Sequence, residues 1–289
     1  MVKKRNKKIH LSSRITNIIY TIVSFILSLL LMLCSVSVVL SYTVFSKEHM
    51  INVMNSTRFY SSVCSEIKVS LTDLGYASGL DESFFENLLD VDMIEHDMFN
   101  YLQGFYSGTS SVVITDNFKE HFNEALDQYI KEKNIPPQSV NAESRKYLVI
   151  NAAKRYKAAL ELPFFSYIAG NFIRIKNILP IVIAVLAVLS VLVIVILMFS
   201  TKWKHRPIKF ICYSTTSVFL VTILPVILAY GTKKIEQLNI DSRAMYNIFV
   251  EFGYNTVNVL MYGSIFFAIV SLVLYIIYRK VYPKRATIE

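Results

Sequence analysis

The chain has 289 residues, of which 54% are hydrophobic, and its formal net charge is +9. This apolar share exceeds that of ordinary soluble domains. With only three cysteines, of which one lies outside the apolar runs, it also cannot be a small secreted scaffold held by internal disulfides.

Charged side chains are missing from four stretches, and each stretch is long enough for a helix that crosses the hydrocarbon core, which takes about 20 residues. The stretches are 15–46, 177–201, 210–232 and 252–278. We therefore predict an all-α integral membrane protein with four transmembrane helices and a helical extracytoplasmic domain between spans one and two. In chain order the predicted segments are a basic cytoplasmic tail (1–14), transmembrane helix 1 (15–45), the extracytoplasmic helical domain (46–176), transmembrane helix 2 (177–200), a cytoplasmic loop (201–209), transmembrane helix 3 (210–230), an extracytoplasmic loop (231–254), transmembrane helix 4 (255–278) and a cytoplasmic tail (279–289).

The orientation follows from the short flanks, because cytoplasmic loops carry an excess of Lys and Arg. Residues 1–14 contain six basic residues, 201–209 contain four, and the tail after 278 contains four, whereas 233–251 contain three basic and three acidic residues. Both termini are thus predicted to be cytoplasmic in the plasma membrane, with the positive charge near lipid headgroups and no role in binding nucleic acid. Trp203 is predicted to lie at the inner interface, and the composition favours a bacterial cell-surface protein.

The first span is predicted to continue outward as one helix to about Tyr76. No Pro or Gly occurs between residues 46 and 74, and apolar or small side chains step by 4, 3, 4, 3, 4 and 3. This seam consists of Val53, Thr57, Tyr60, Cys64, Ile67, Leu71 and Leu74. The second span is instead entered through Pro163 and a segment containing Gly170, so we expect this connection to bend and the first to be stiff.

Helical periodicity continues through the rest of the outer domain. The predicted helices cover about 82–90, 93–106, 117–133 and 142–162, and "NIPPQS" at 134–139 forms a stiff turn because proline fixes φ. Only "SVVIT" at 111–115 has a strand-like alternation.

Seven of the seventeen residues in "DESFFENLLDVDMIEHD" (81–97) are acidic and none is basic. We interpret them as helix caps and a solvated face, with Asp81 and Asp92 as N-caps. The stretch lacks the Gly and Glu that an EF-hand loop requires, and His121 with Glu124 has no second pair to complete a metal site. The prediction is therefore no catalytic, cofactor-binding or metal residues, and no cofactor. The basic residues of 142–162 either complement these acids or face an external partner.

The spans lack charged residues, which argues against a proton-coupled transporter or a charge-selective channel. Span three contains "CYSTTS" (212–217), Thr222 and Pro225, and span four carries a stripe of Asn255, Asn258 and Tyr262 with Ser264, Ala268 and Ser271 below it. We expect these groups to pack the two helices on one another and on the first span. A conduction path is the alternative.

The layout of four spans, both termini inside and a large outer domain after span one resembles that of the FtsX-like permeases. The resemblance concerns this layout and no sequence motif, so it implies no site residue. The function we expect is that of a non-enzymatic surface sensor or interaction protein, whose outer bundle meets a ligand or protein partner while the spans sit in the lipid bilayer. The alternative is an accessory or permease subunit of a membrane transport complex, and an enzyme is the third hypothesis.

Overall fold

The computed structural model describes residues 2–76, 78–110, 112–136, 141–163, 165–200 and 205–281, with the backbone alone for 2–16, 166 and 205. This part of the chain is all-helical and contains no strand. The α-helices are α1 (Val2–Tyr42), α2 (Lys47–Ser56), α3 (Phe59–Tyr76), α4 (Glu82–Leu88), α5 (Val91–Ser107), α6 (Asp116–Glu132), α7 (Ala142–Leu160), α8 (Phe165–Phe199), α9 (His205–Thr232) and α10 (Arg243–Val281), with a 3-10 turn at Lys234–Gln237. The end of the predicted 134–139 turn, Trp203, and the tail beyond Val281 lie outside the described residues.

Four helices are long and apolar enough to cross a membrane, as the uncharged stretches predict. Their apolar segments are Asn17–Tyr42, Tyr167–Phe199, Arg206–Thr232 and Arg243–Val281. The last has 39 residues, so at 1.5 Å per residue it is roughly 58 Å long and exceeds the hydrocarbon thickness of about 30 Å. Its ends therefore extend beyond the apolar layer.

The helices divide into two compact units. One unit contains Met1–Val44, Asn177–Ile235 and Gly253–Glu289, and the other, which we call the bundle, contains Phe45–Lys176 and Glu236–Phe252. The short stretch before the last span, which the sequence analysis treats as a loop by itself, thus folds with the helices that lie between spans one and two.

The prediction of one continuous helix from the first span to Tyr76 is wrong. Helix α1 ends at Tyr42, and α2 begins at Lys47 after Ser46, whose hydroxyl accepts a hydrogen bond from the His49 amide at 3.1 Å. A second break follows α2, where Arg58 adopts a φ of 53°. Ser46 is the N-cap residue of α2. Because a serine cap can begin a new helix without a neighbouring Pro or Gly, the absence of those residues did not exclude a break here.

The connection into the second span does break near Pro163, since α7 ends at Leu160 and α8 begins at Phe165, and its stiffness relative to the first connection stays a prediction. Helix α8 runs without interruption from Phe165 to Phe199 through Gly170, and α10 runs from Arg243 to Val281. The connection from α1 to α2 is interrupted, as is the one that follows α9 at Thr232, whereas unbroken helices enter the second and fourth spans.

The predicted seam does form the centre of the bundle, although two helices supply it. Val53 of α2 and Cys64, Ile67 and Leu71 of α3 are all buried. The largest fully buried side chains of the other bundle helices are Phe85 and Leu88 of α4, Ile94 and Met98 of α5, Phe118 and Phe122 of α6, and Tyr156 of α7. The 4, 3 spacing identified the buried face correctly because a helix break between residues 56 and 59 leaves that face pointing to the same core.

The strand-like stretch at 112–115 is an irregular approach to α6 and not a strand. Its side chains do alternate, since Val113 is 3% exposed and Ile114 is 67% exposed. In the described residues no neighbouring strand is present to pair with it, and a strand without a ladder of backbone hydrogen bonds is not stable.

Candidate functional site

A groove of about 790 Å³ opens on the bundle where the end of α3, the turn 78–80, α6 and the start of α7 meet. Its lining residues are Leu74, Ser78, Gly79, Leu80, Leu126, Tyr129, Ile130, Ile135, Asn141, Glu143, Ser144, Arg145, Tyr147 and Leu148. Gly79 adopts a φ of +73°, and this conformation lets the chain reverse tightly between α3 and α4. The volume falls within the roughly 300–1,000 Å³ that is usual for small-molecule sites.

Much of the lining of the groove is aliphatic. Six leucine and isoleucine side chains contribute to it, namely Leu74, Leu80, Leu126, Ile130, Ile135 and Leu148. Leu126 and Leu148 belong to the buried core, whereas the other four remain partly exposed or half-buried on the groove side. Apolar surface of this kind gains about 25 cal/mol for each Å² that a ligand removes from water.

The charged groups at the rim are paired with one another. The Arg145 Nη1 atom lies 2.6 Å from Asp127 Oδ1, its Nε donates to Asn123 Oδ1 at 3.1 Å, and its Nη2 donates to the Asn123 carbonyl at 3.2 Å. The hydrogen bond from Arg145 lowers the pKa of Asp127. Each of its three side-chain nitrogens thus donates within the bundle, and the charge of Arg145 is already balanced by Asp127.

A second ion pair lies beside the groove. Lys133 donates to Asp81 Oδ2 at 2.8 Å, and the backbone amide of Asp81 donates to the Tyr129 hydroxyl at 3.4 Å. The hydrogen bond from Lys133 is the main reason that the pKa of Asp81 is lowered. Among the lining residues, Glu143 is thus the one carboxylate, and no cationic group is left unpaired.

The acidic stretch 81–97 is not the uniformly solvated surface that the sequence analysis predicts. Six of its acids are exposed, but Asp97 is 7% exposed. Its Oδ2 accepts a hydrogen bond of 2.7 Å from the hydroxyl of Tyr156, which is fully buried. The aromatic ring of Tyr156 is stacked on Phe118, with 4.3 Å between ring centroids and an interplanar angle of 11°.

The hydrogen-bonded pair of Asp97 and Tyr156 is part of the buried core of the bundle. Burial raises the pKa of Tyr156, and the hydrogen bond to Asp97 raises it further because that bond stabilises the neutral hydroxyl. Burial likewise raises the pKa of the nearby Cys64 thiol, which keeps it protonated and a poor nucleophile. None of these three residues lines the groove.

The predicted N-caps are only partly correct. Asp81 does occupy the N-cap position of α4, but its carboxylate binds Lys133 and makes no side-chain cap hydrogen bond. The prediction that Asp92 caps the next helix is wrong, because α5 begins at Val91 and Asp90 holds the N-cap position. Asp92 instead lies in the first turn, where its charge still meets the positive end of the helix dipole.

The predicted complementarity between the acids of 81–97 and the basic residues of α7 takes another form. Helix α7 contacts α5 through the uncharged Tyr156 hydroxyl, and its Arg145 pairs with Asp127 of α6. Arg155 donates to the backbone carbonyl of Ser70. Across these fully described segments, no ion pair joins α7 to an acid of 81–97.

Within the described residues, no group of three His, Cys, Asp or Glu side chains is arranged to hold a metal ion. His121, which the sequence pairs with Glu124, directs its Nε2 to the carbonyl of Leu88 at 3.1 Å. The imidazole thus donates a hydrogen bond to the backbone at the end of α4, and this contact positions α6 against α4.

The polar side chains of the spans join helices in the other unit. Helices α9 and α10 are linked by Thr216 to Ser271 at 2.5 Å, Thr222 to Ser264 at 2.9 Å, and Tyr230 to Asn258 at 2.6 Å. Helix α1 joins α9 through the hydroxyls of Ser24 and Ser214 at 2.9 Å. These contacts confirm that the third predicted span packs against the fourth and the first, as expected for hydroxyl and amide groups in lipid.

A small cluster of apolar side chains closes one end of the same unit. Tyr20 and Leu27 of α1, Leu197 of α8, and Phe210 and Ile211 of α9 are buried together. The rings of Tyr20 and Phe210 are stacked at 5.3 Å, and the Tyr20 hydroxyl donates to Ser200 at 3.0 Å.

One member of the predicted polar stripe of α10 is not buried between helices. Tyr262 is 66% exposed.

No protein-family model, curated protein or solved structure matches this chain.

Proposed function

We propose that this protein is a non-enzymatic surface sensor or interaction protein of the plasma membrane, in which four helices hold the bundle outside the cell as a ligand-binding module. The basic residues of the flanks support cytoplasmic termini. The bundle contains segments from before span two and from after span three. With four crossings, the segment between spans one and two and the segment between spans three and four lie on the same side of the bilayer, so they are able to fold together.

The groove is the observation that carries this proposal. Its volume is that of a small-molecule site, much of its lining is aliphatic, and its rim offers hydroxyl groups, an amide and one carboxylate. Since the rim cations are already paired, the ligand chemistry that fits best is an apolar body with an uncharged or cationic polar end. The lining residues include no Cys or His.

A photocrosslinking experiment in intact cells tests the proposal. A benzophenone amino acid replaces Tyr147, which lines the groove and is 69% exposed. The matched control replaces Phe99, an aromatic residue of α5 that is 45% exposed and does not line the groove. We expect irradiation to attach a ligand at position 147 and not at position 99.

A groove-filling substitution makes the experiment specific. Ile130→Trp places a larger side chain in the groove and should abolish the adduct at position 147, whereas Val69→Trp on the exposed face of α3 should leave it unchanged. Equal adducts at positions 147 and 99, or an adduct at 147 that survives Ile130→Trp, would show that the groove is not the binding site.

The alternative function, an accessory or permease subunit of a membrane transport complex, shares the four-span layout. It requires a partner that the surface-sensor function does not, namely a stoichiometric ATPase. Recovery of such an ATPase with the full-length protein from mild detergent would favour transport.

A further inference from the structure

A carboxylate of the bundle holds the beginning of the helix that forms the fourth predicted span. Glu66 of α3 accepts a hydrogen bond from the Ser242 hydroxyl at 2.6 Å through Oε2, and from the backbone amide of Ala244 at 2.8 Å through Oε1. Both carboxylate oxygens are thus used on the first turn of α10.

The first turn of a helix has amide groups without intrahelical acceptors, and a negative charge there is stabilising. In α10 the N-cap residue is Ser242, whose carbonyl accepts the first helical hydrogen bond from the Tyr246 amide at 2.9 Å. The Ser242 hydroxyl accepts from the Met245 amide at 3.1 Å and donates to Glu66. Glu66 therefore completes a cap that Ser242 by itself would leave unfinished.

The same end of α10 is buried in the bundle. Ala244, Met245 and Ile248 are 1%, 5% and 0% exposed. Tyr246 also donates its hydroxyl to the carbonyl of Glu236 at 2.9 Å, which closes the turn that precedes the helix. The polar contact of Glu66 and this apolar contact together fix the first turns of α10 to the bundle.

Two continuous helices connect this contact to other parts of the chain. Helix α10 extends without interruption from Arg243 to Val281. Helix α3 carries Glu66 and, eight residues later, Leu74 of the groove, which at 1.5 Å per residue is roughly 12 Å along its axis.

We propose that Glu66 is a latch through which the fourth membrane helix follows the position of α3. A ligand that binds the groove better in one arrangement of α3 than in another shifts the population of that arrangement. The latch transmits the shift to α10, and its signalling role rests on the proposed function. The contact of Glu66 with Ser242 and Ala244 is independent of any ligand, and its tests use none.

The first test measures hydrogen exchange of the α10 amides in the full-length protein in lipid nanodiscs. Glu66→Ala should accelerate exchange at residues 244–248 by about 2- to 30-fold, the range that corresponds to loss of a helix cap. Glu66→Gln should have a smaller effect because its amide oxygen can still accept from Ala244. The control is Asp73→Asn, which removes an exposed acid of the same helix and should change exchange by less than about twofold.

The second test measures whether the latch restrains the membrane helix. Spin labels at position 69 of α3 and position 247 in the first turns of α10, which both belong to the bundle, report the distance between these two helices in a cysteine-free background. We expect a narrow distance distribution with Glu66 and a broad one with Glu66→Ala.

Unchanged exchange at residues 244–248 in Glu66→Ala, or an equal acceleration in Asp73→Asn, would overturn the latch. Faster exchange without a broader distance distribution would overturn the coupling to the membrane helix. Because none of these readouts involves the groove, failure of the latch and failure of ligand binding can be told apart.

Discussion

Removing the hydroxyl of Tyr156 should weaken the bundle strongly, because it leaves the Asp97 carboxylate buried without its donor. Tyr156→Phe keeps the ring that stacks on Phe118 and deletes only the 2.7 Å hydrogen bond. A hydrogen bond to a charged group contributes about 1.5–3 kcal/mol, and an unsatisfied buried acceptor costs a similar amount. We therefore expect a loss of about 1.5–3 kcal/mol in the free energy of unfolding.

Cys64 provides a local assay for this loss in the intact protein. Its thiol is 4% exposed, so a thiol reagent can reach it only when the core opens. Cys34 and Cys212 are first replaced by alanine. If the core closes faster than the reagent reacts, the labelling rate is proportional to the population of the open state. The predicted loss of free energy of unfolding then corresponds to a roughly 10- to 140-fold faster labelling rate in Tyr156→Phe.

Two further variants separate the hydrogen bond from other effects. Asp97→Asn retains an oxygen that can accept from Tyr156 and should accelerate labelling less than Tyr156→Phe does. Asp92→Asn neutralises an exposed acid of the same helix and should remain within about twofold of the parent protein. If Tyr156→Phe labels within twofold of the parent, the buried pair does not stabilise the core and the reasoning fails.

Three other predictions follow from the same structure. Because burial and its hydrogen bond raise the pKa of the tyrosine in this pair, its ionisation favours the unfolded state. Its stabilising contribution is complete below the unfolded value of about 10 and is lost as pH rises above it, so the stability difference between the parent and the phenylalanine variant should narrow as the pH rises above about 10. Gly75→Ala should cost about 1–3 kcal/mol in thermal unfolding, since a Cβ there collides with the ring of Phe85, whereas Gly170→Ala, which meets no atom within 4 Å, should be neutral or slightly stabilising. An impermeant thiol reagent on intact cells should label a cysteine introduced at Glu120 and not one at Lys209, and labelling only at 209 would reverse the proposed orientation.

The acidic stretch shows which part of a site the sequence can reveal. Periodicity correctly placed Ile94, Met98 and Tyr101 on the buried face of α5. Asp97 lies three residues after Ile94 and four before Tyr101, which are the spacings of one helix face. The position thus indicated burial, but only the tertiary contact with Tyr156 shows what makes a buried carboxylate tolerable.

The groove could not be predicted, because its walls come from segments far apart in the sequence. Leu74, Leu80, Ile130 and Leu148 each look like ordinary core residues of an amphipathic helix or turn. Whether such residues fill a core or line a depression depends on how closely α3, α6 and α7 approach one another, and spacing along one helix contains no information on that distance.

The number of helices that can cross a membrane and the all-helical class follow from the amino-acid sequence. A charge is costly in hydrocarbon and backbone groups there must bond within their own segment, so uncharged runs of this length leave little choice. The positions of the helix breaks and the choice of segments that fold together are visible only in the tertiary structure. Ser46 caps the helix that follows the break after Tyr42, and Glu66 accepts a hydrogen bond from the Ala244 amide where 236–252 folds with the bundle. Both are contacts of single polar groups with backbone amides, and such contacts leave no periodic pattern in the chain.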